Sequence, residues 1–292
     1  MRAAAADDAA AVAELIRAKE TSLRGWSTIG LQDIVEWWRM VDLPNASWLI
    51  EERGKLCAAG VLITLRANGE FWAFVSEDAK GRGFGSTLLD RAEEASRATG
   101  KRSVHAGAYA EDQDGAALLT ARGYRDVRHY FTMVIELEHL PVPAFPPGIR
   151  GDSIGYDEAR AFKDALDEAF VDEWGWEPVA FEEWKRLRLD VPETDLGLWF
   201  VARDGDEIAA AARCESGRWG GGFVGAIGVR PRWRRRGLGL ALLQHAFAEF
   251  HRRGERTVRL GVDTQNPTGA TRLYERAGMR VESEEVVYEL EL

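Results

Sequence analysis

The chain has 292 residues, 46% of them apolar, which suffices for a packed interior and argues against a disordered chain. Its net charge of -10 argues against a general nucleic-acid binder, whose surface is strongly basic. The two cysteines (Cys57, Cys214) have no ligand spacing and the five histidines form no H-E-x-x-H motif, so no metal is expected and a reduced, cytoplasmic chain is the simplest reading. No segment is apolar and long enough to span a membrane, and MRAAAADDAAAV is acidic where a signal peptide would be apolar.

In chain order, DDAAAVAELIRAKE opens with an acidic cap and continues with helical apolar spacing, predicting a helix. SWLIEE, CAAGVLITL and FWAFVS read as strands. The loop KGRGFGS then leads into a helix, STLLDRAEEASRA, closed by Gly100. EHLPVPAFPPGIR, residues 138–150, holds four of the nine prolines and reads as a stiff connector. Beyond it, LWFVAR, EIAAAARCES and FVGAIGV are predicted strands, and GLALLQHAFAEFHRR is a helix ending at Gly254. TVRLGVD (strand), TGATRLYERAG (helix) and EVVYELEL (strand) complete the chain. This order predicts α/β domains at 1–140 and 151–292, joined by a linker at 141–150.

The two halves repeat each other. Gly83, Gly85, Leu88, Leu89, Gly100 and Val104 match Gly237, Gly239, Leu242, Leu243, Gly254 and Val258 at an offset of 154. After one indel the offset is 155, and Gly123 matches Gly278. Near the end of each half, Glu136-Leu137-Glu138 echoes Glu289-Leu290-Glu291. A fixed offset over this span signals duplication.

The most charged stretch is RPRWRRRGLG, with Arg230, Arg232, Arg234, Arg235 and Arg236 ahead of Gly237 and Gly239. It lies between a strand and a helix. The first amides of a helix lack internal acceptors and favour an anion, and glycines let a ligand approach the backbone. The arrangement suits a pyrophosphate. It is not a P-loop, because Leu240 follows Gly239, and not a dinucleotide fingerprint, because Leu242 stands where the third Gly would be. By itself it also reads as a basic surface turn.

Arg234-x-x-Gly237-x-Gly239 resembles the Arg/Gln-x-x-Gly-x-Gly/Ala signature of the GNAT superfamily of acyl-CoA-dependent N-acetyltransferases. LGVDTQNPTGATRLYERAGM resembles that family's downstream motif, and as a tandem pair the chain is similar to the mycothiol synthase group of actinobacterial proteins. The resemblance implies two tandem domains, each a mixed, mostly antiparallel sheet flanked by helices with a splayed pair of parallel strands. It implies acetyl-CoA as cosubstrate and a small-molecule amine as acceptor, in a monomer or homodimer. Ile227, Gly228 and Val229 would bond the pantetheine and thioester. Arg234, Arg235, Arg236, Gly237, Leu238, Gly239 and Leu240 would cradle the pyrophosphate, and Asn266 would contact CoA. Tyr274 would protonate the departing sulfur, with the Val229 amide as oxyanion donor.

The general base is not marked: FVGAIGV lacks the Glu that many family members carry there, leaving Glu173, Glu215 and Asp263 as candidates beside a water relay or an amine that arrives neutral. DEWGWEP offers Trp174 and Trp176 for stacking and Asp172, Glu173 or Glu177 for a cationic amine, while packing explains the same tryptophans equally. Trp37 of the first half matches Trp184 of the second, and this shared tryptophan reads as packing. In the first half, Lys80 stands at Arg234's place, and Ala73, Phe74, Val75, Gly81, Arg82, Gly83, Phe84, Gly85 and Ser86 repeat the donor-site segments. At the offset of 155, Glu111 replaces Asn266 and Leu119 replaces Tyr274, so this half is expected to be catalytically inert. An acyl-CoA sensor without turnover and a protein or peptide N-acetyltransferase are the alternative readings.

Overall fold

The computed structural model describes residues 1–138 and 142–292. The expected domain end at 140 and the first linker position at 141 lie outside the described residues. The chain runs β1 (Arg2–Ala3), α1 (Ala9–Arg24), α2 (Leu31–Arg39), α3 (Leu43–Ala46), β2 (Ser47–Glu52), β3 (Lys55–Ile63), β4 (Gly69–Val75), α4 (Phe84–Ala98), β5 (Ser103–Tyr109), α5 (Gln113–Ala121) and β6 (Arg125–Glu136). A similar order follows: β7 (Ile149–Ser153), α6 (Ala159–Ala169), α7 (Phe181–Trp184), β8 (Trp199–Asp204), β9 (Glu207–Arg218), β10 (Gly221–Val229), α8 (Leu238–Arg252), β11 (Thr257–Asp263), α9 (Ala270–Arg276) and β12 (Arg280–Glu291). Each half is thus an α/β fold, as the sequence predicts.

The helices form where apolar residues recur at helical spacing. In α8, Leu238, Ala241, Leu242, Ala246, Phe247 and Phe250 are buried along one stripe. Helix α1 buries Val12, Ala13, Leu15 and Ile16, and stops at Gly25, whose φ of 81° places it in the left-handed region.

The chain forms two compact units. One comprises Met1–Tyr130 with Ser283–Leu292, and the other Phe131–Glu282. Within the first, the strand order is β1-β2-β3-β4-β5-β12; within the second it is β7-β8-β9-β10-β11-β6. Pairing is antiparallel for β1–β2, β2–β3, β3–β4 and β5–β12, and for β7–β8, β8–β9 and β9–β10. The β4–β5 and β10–β11 pairs are parallel.

The units differ from the expected domains by one element each. The last strand of each half is counted with the unit built from the other half. In the first unit β12 pairs with β5 from Glu285↔Tyr109 to Glu291↔Ser103. Its Tyr288 and Leu290 pack on Phe71, Leu88, Val104 and Tyr124. In the second unit Met133, Ile135 and Leu137 join Leu242, Phe247, Phe250 and Val258.

Candidate active site

In the second unit β10 and β11 are in register only at Gly222↔Val258 and Phe223↔Arg259, after which the strands part. A register shift between Val224 and Ala226 in the β10–β9 ladder bends β10 at this point. Beyond the bend, Ile227, Gly228 and Val229 lie opposite Ala212, Ala211 and Ala210. The Arg230 amide donates to Ala209 O at 3.0 Å. Antiparallel partners alternate between hydrogen-bonded and non-bonded pairs. The amides of Ile227 and Val229 therefore point away from β9, toward the edge that β11 has left. An amide at Val229 turned into this opening is suited to an oxyanion. Gly228 serves packing: a Cβ there would lie 2.6 Å from the Ala169 Cβ at the end of α6.

Helix α8 starts at the mouth of the opening. Its N-cap, Gly237, has φ 83° and no side-chain cap, and no atom lies within 4 Å of where its Cβ would project. The first intrahelical bond is from the Ala241 amide to Gly237 O. The amides of Leu238, Gly239 and Leu240 thus precede the ladder and remain available to an anion. Gly239 is a contact point between helices, its would-be Cβ 3.0 Å from Leu273 of α9.

The arginines divide by role. Arg230 bonds Glu168 at 2.7 Å and Arg232 bonds Glu207 at 3.0 Å. Both guanidinium groups lie over the Trp233 ring. Arg236 stands 3.6 Å from Asp204. Arg234 is half-buried and bonds Val229 O at 3.2 Å, Ala169 O at 3.1 Å and Asp172 at 2.5 Å. Arg235 is exposed and makes no ion pair or hydrogen bond among the described residues. Its φ of 63° is left-handed, a conformation that costs an L residue about 1–2 kcal/mol. Together with the uncapped helix and the open space at Gly237, this free cation makes the loop fit a diphosphate.

Two residues far apart in sequence bond each other beyond the strand ends, and the charge of one reaches a buried tyrosine. Asn266 follows β11, and its Nδ2 donates to Glu173 Oε2 at 2.5 Å. Glu173 lies in the loop after α6. Tyr274, on α9, is buried with its ring in the core of the second unit. Burial first, and then the charge of Glu173, push its phenol well above the usual tyrosine range. Of the three carboxylates considered as base, Glu173 bonds Asn266 and places its charge on Tyr274. Glu215 pairs with Arg213 and with Arg218. Asp263 is buried and accepts the Gln265 amide at 2.8 Å in the turn after β11.

Trp176 packs on Phe170, with ring centroids 4.9 Å apart. Its counterpart at an offset of 150 is Trp26, preceded by the left-handed Gly25 as Trp176 is by the left-handed Gly175. The rule that set aside Trp37 and Trp184 thus applies to Trp176 as well. Trp37 stacks on Trp72 at 6.4 Å, and Trp184 meets Trp199 at 5.5 Å. Trp174, where the first half has Arg24, has no such counterpart.

The first unit repeats the opening. Strands β4 and β5 pair from Gly69↔Val104 to Phe71↔Ala106 and then separate around a cavity of about 540 Å³. Residues 73–75, Gly81 and residues 83–86 line it. Arg82 does not: it pairs with Glu52 and lies over the Phe84 ring. Lys19 and Tyr109 also line the cavity and were not expected. The signal available was a charged pair, Lys19-Glu20, on the otherwise apolar stripe of α1.

Hydrogen bonding corrects one correspondence between the halves. The Asn266 amide donates to Asp263 O, as the Asp112 amide does to Tyr109 O. Asp112, not Glu111, therefore occupies the place of Asn266, at an offset of 154. The Met279 amide reaches Tyr274 O and the Tyr124 amide reaches Leu119 O, which keeps Leu119 against Tyr274 at 155. The indel falls between these two points, in the lead into the helix.

A sheet opened at its parallel pair, with a glycine-rich helix start at the mouth, occurs in both units and defines a tandem acyltransferase architecture. The chain belongs to the Acetyltransferase (GNAT) family, whose model matches residues 10–124 and 159–279. It is 31% identical to the mycothiol acetyltransferase of Geodermatophilus obscurus over 222 residues, 70% of this chain and 68% of that protein. Identity to the Thermobispora bispora mycothiol acetyltransferase is 30%, over 72% of each chain. A crystal structure of a GCN5-related N-acetyltransferase from Sphaerobacter thermophilus superimposes with a TM-score of 0.85 at 31% identity, covering 99% of this chain and 94% of that one. A tandem GNAT protein from the clavulanic acid biosynthesis pathway shares the fold, with a TM-score of 0.72 at 17% identity over 99% and 97% of the two chains. Among the described residues, no helix is long and apolar enough to cross a membrane and no cluster of three or more His, Cys, Asp or Glu could hold a metal.

Proposed function

We propose that the chain transfers an acetyl group from acetyl-CoA to the primary amine of a small molecule, with the chemistry in the second unit. The observation that carries this reading is the Asn266–Glu173 bond, with the charge of Glu173 acting on the buried Tyr274, in the unit whose Val229 amide points into the opening. The names of the curated relatives support a small acceptor.

Acetyl-CoA supplies an acetyl thioester, activated for attack. The open amides of α8 and Arg235 hold the diphosphate, and the Ile227 amide holds the pantetheine arm. Glu173 receives a proton from the attacking amine, whose nitrogen forms the new bond to the carbonyl carbon. The Val229 amide stabilises the oxygen as it gains charge. Tyr274, still protonated at neutral pH, donates to the sulfur as the C–S bond breaks. One proton leaves the amine and one arrives at sulfur, so the products are an amide and a free thiol. Asp172, Glu173 and Trp174 form the acceptor side, with Trp176 supporting them through Phe170.

The test follows CoA thiol release with a panel of small amines. Glu173→Gln is expected to lower kcat by about 10²- to 10⁴-fold, the usual range for acid–base catalysis. Undiminished turnover in that variant removes Glu173 from the chemistry. A second reading concerns the first unit. Its cavity of about 540 Å³ and its glycine loop favour a second CoA-like ligand. Leu119 has no proton to give, so this ligand is held without turnover. Calorimetry with acetyl-CoA gives two sites per chain on this reading and one if the first unit is only a scaffold.

A further inference from the structure

We propose that Arg234 is a positioning residue, one that holds the end of β10 and the acceptor-side loop in register, and not a ligand of the diphosphate. The proposal rests on the acetyltransferase reading of the second unit. The three arms of its guanidinium group are committed to three different pieces of backbone or side chain. Nε donates to the carbonyl of Val229, the residue whose amide faces the reacting carbonyl. Nη2 donates to the carbonyl of Ala169, the last residue of α6, which itself packs on Gly228. Nη1 bonds Asp172, one residue before Glu173. Glu173 in turn holds Asn266.

One planar cation thus ties the oxyanion donor on β10 to the loop that carries the base. A guanidinium suits this task because its donors diverge in a fixed plane. A lysine ammonium is a single point and reaches fewer acceptors in fixed directions. The first unit provides a natural comparison. Lys80 stands at the equivalent position and pairs with Glu77 at 2.7 Å and Asp114 at 3.1 Å. Among the described residues it makes no bond to Val75 or to α1. The half that lacks the tyrosine also lacks this tie, while both halves keep the glycine loop. That pattern assigns the tie to the chemistry and not to the holding of the donor.

The experiment compares Arg234→Ala, Arg234→Lys and Asp172→Asn with Arg235→Ala. Steady-state kinetics give kcat and the donor KM, and calorimetry gives the CoA Kd. Arg234→Ala is expected to lower kcat by about 10- to 100-fold, as misplacing reacting groups by an ångström does, with a CoA Kd close to wild type. Arg234→Lys is expected to recover little of it, and added guanidinium to restore part of the Arg234→Ala loss. Asp172→Asn keeps both carbonyl bonds and is expected to lower kcat by a smaller factor in the same direction. Arg235→Ala is expected to act on donor binding instead, raising the CoA Kd and the donor KM. An Arg234→Ala variant that weakens CoA as Arg235→Ala does, at full saturated kcat, overturns the proposal. Should Arg234→Ala fail to fold, Asp172→Asn carries the test, because the Asp172 side chain is 49% exposed. Amide exchange over residues 170–176 separates the two readings: faster exchange in Arg234→Ala supports the tie even if no amine is turned over, and unchanged exchange overturns it.

Discussion

Replacing Tyr274 by Phe removes one oxygen from a buried side chain and leaves its ring in place. Tyr274 is 7% exposed, and its hydroxyl makes no hydrogen bond among the described residues. The substitution therefore breaks no protein contact, and stability is expected to stay within about 0.5 kcal/mol of wild type. If the phenol protonates the sulfur, kcat at saturating donor and acceptor falls by about 10²- to 10⁴-fold, or roughly 3–5 kcal/mol in the barrier. The assay pairs CoA thiol release with a thermal melt and a CoA titration on one preparation. Catalysis predicts a large loss of turnover with unchanged Tm and unchanged CoA affinity. Pure packing predicts no change in any of the three. A variant with full kcat on its true acceptor refutes the acid assignment. Burial and then Glu173 raise the phenol, so it stays protonated well past neutrality, and wild-type kcat should show no loss from its titration below about pH 10.

Arg235→Ala is expected to weaken CoA about tenfold, the low end for a charge-assisted contact because the residue is exposed, with a smaller loss for Arg236→Ala, whose cation already faces Asp204; equal losses would contradict this division. Gly237→Glu places a bulky anion in the open space at the α8 start and is expected to abolish turnover, whereas Gly83→Glu spares it; the reverse result exchanges the roles of the two units. Glu285 in the first unit is pushed up to about 8 by burial and then by Glu70, from an ordinary 4.5. Between those values the folded state holds a proton that the unfolded chain has released, so stability falls as pH rises through this window. Glu285→Gln is expected to flatten that slope in urea denaturation between pH 5 and 8, and an unaltered slope would show that Glu285 does not cause it.

The glycine loops, the order of elements and the duplication were legible in the sequence because each depends on local chemistry. A left-handed Gly237, an uncapped helix start and an apolar stripe on α8 are properties of neighbouring residues, and they recur at a fixed offset. Strands such as SWLIEE and TVRLGVD have the observed bounds because apolar, β-branched and aromatic residues concentrate there. The choice among the candidate bases was not legible in this way. Glu173 and Asn266 are 93 positions apart and are joined by a hydrogen bond between two loops, the first of them anchored where α6 packs on Gly228. The role of Arg234 was hidden for the same reason: a motif names the residue type, while its three acceptors lie on three elements.

The exchange of final strands could be decided only by the tertiary structure. Glu136-Leu137-Glu138 and Glu289-Leu290-Glu291 descend from one repeated pattern, so either strand presents alternating apolar residues to either core. Hydrophobic alternation specifies that a strand pairs and which face it buries, but it does not say which of two similar edges receives it. In this fold Tyr288 and Leu290 fill the unit built from the first half, and Met133 and Ile135 fill the one built from the second.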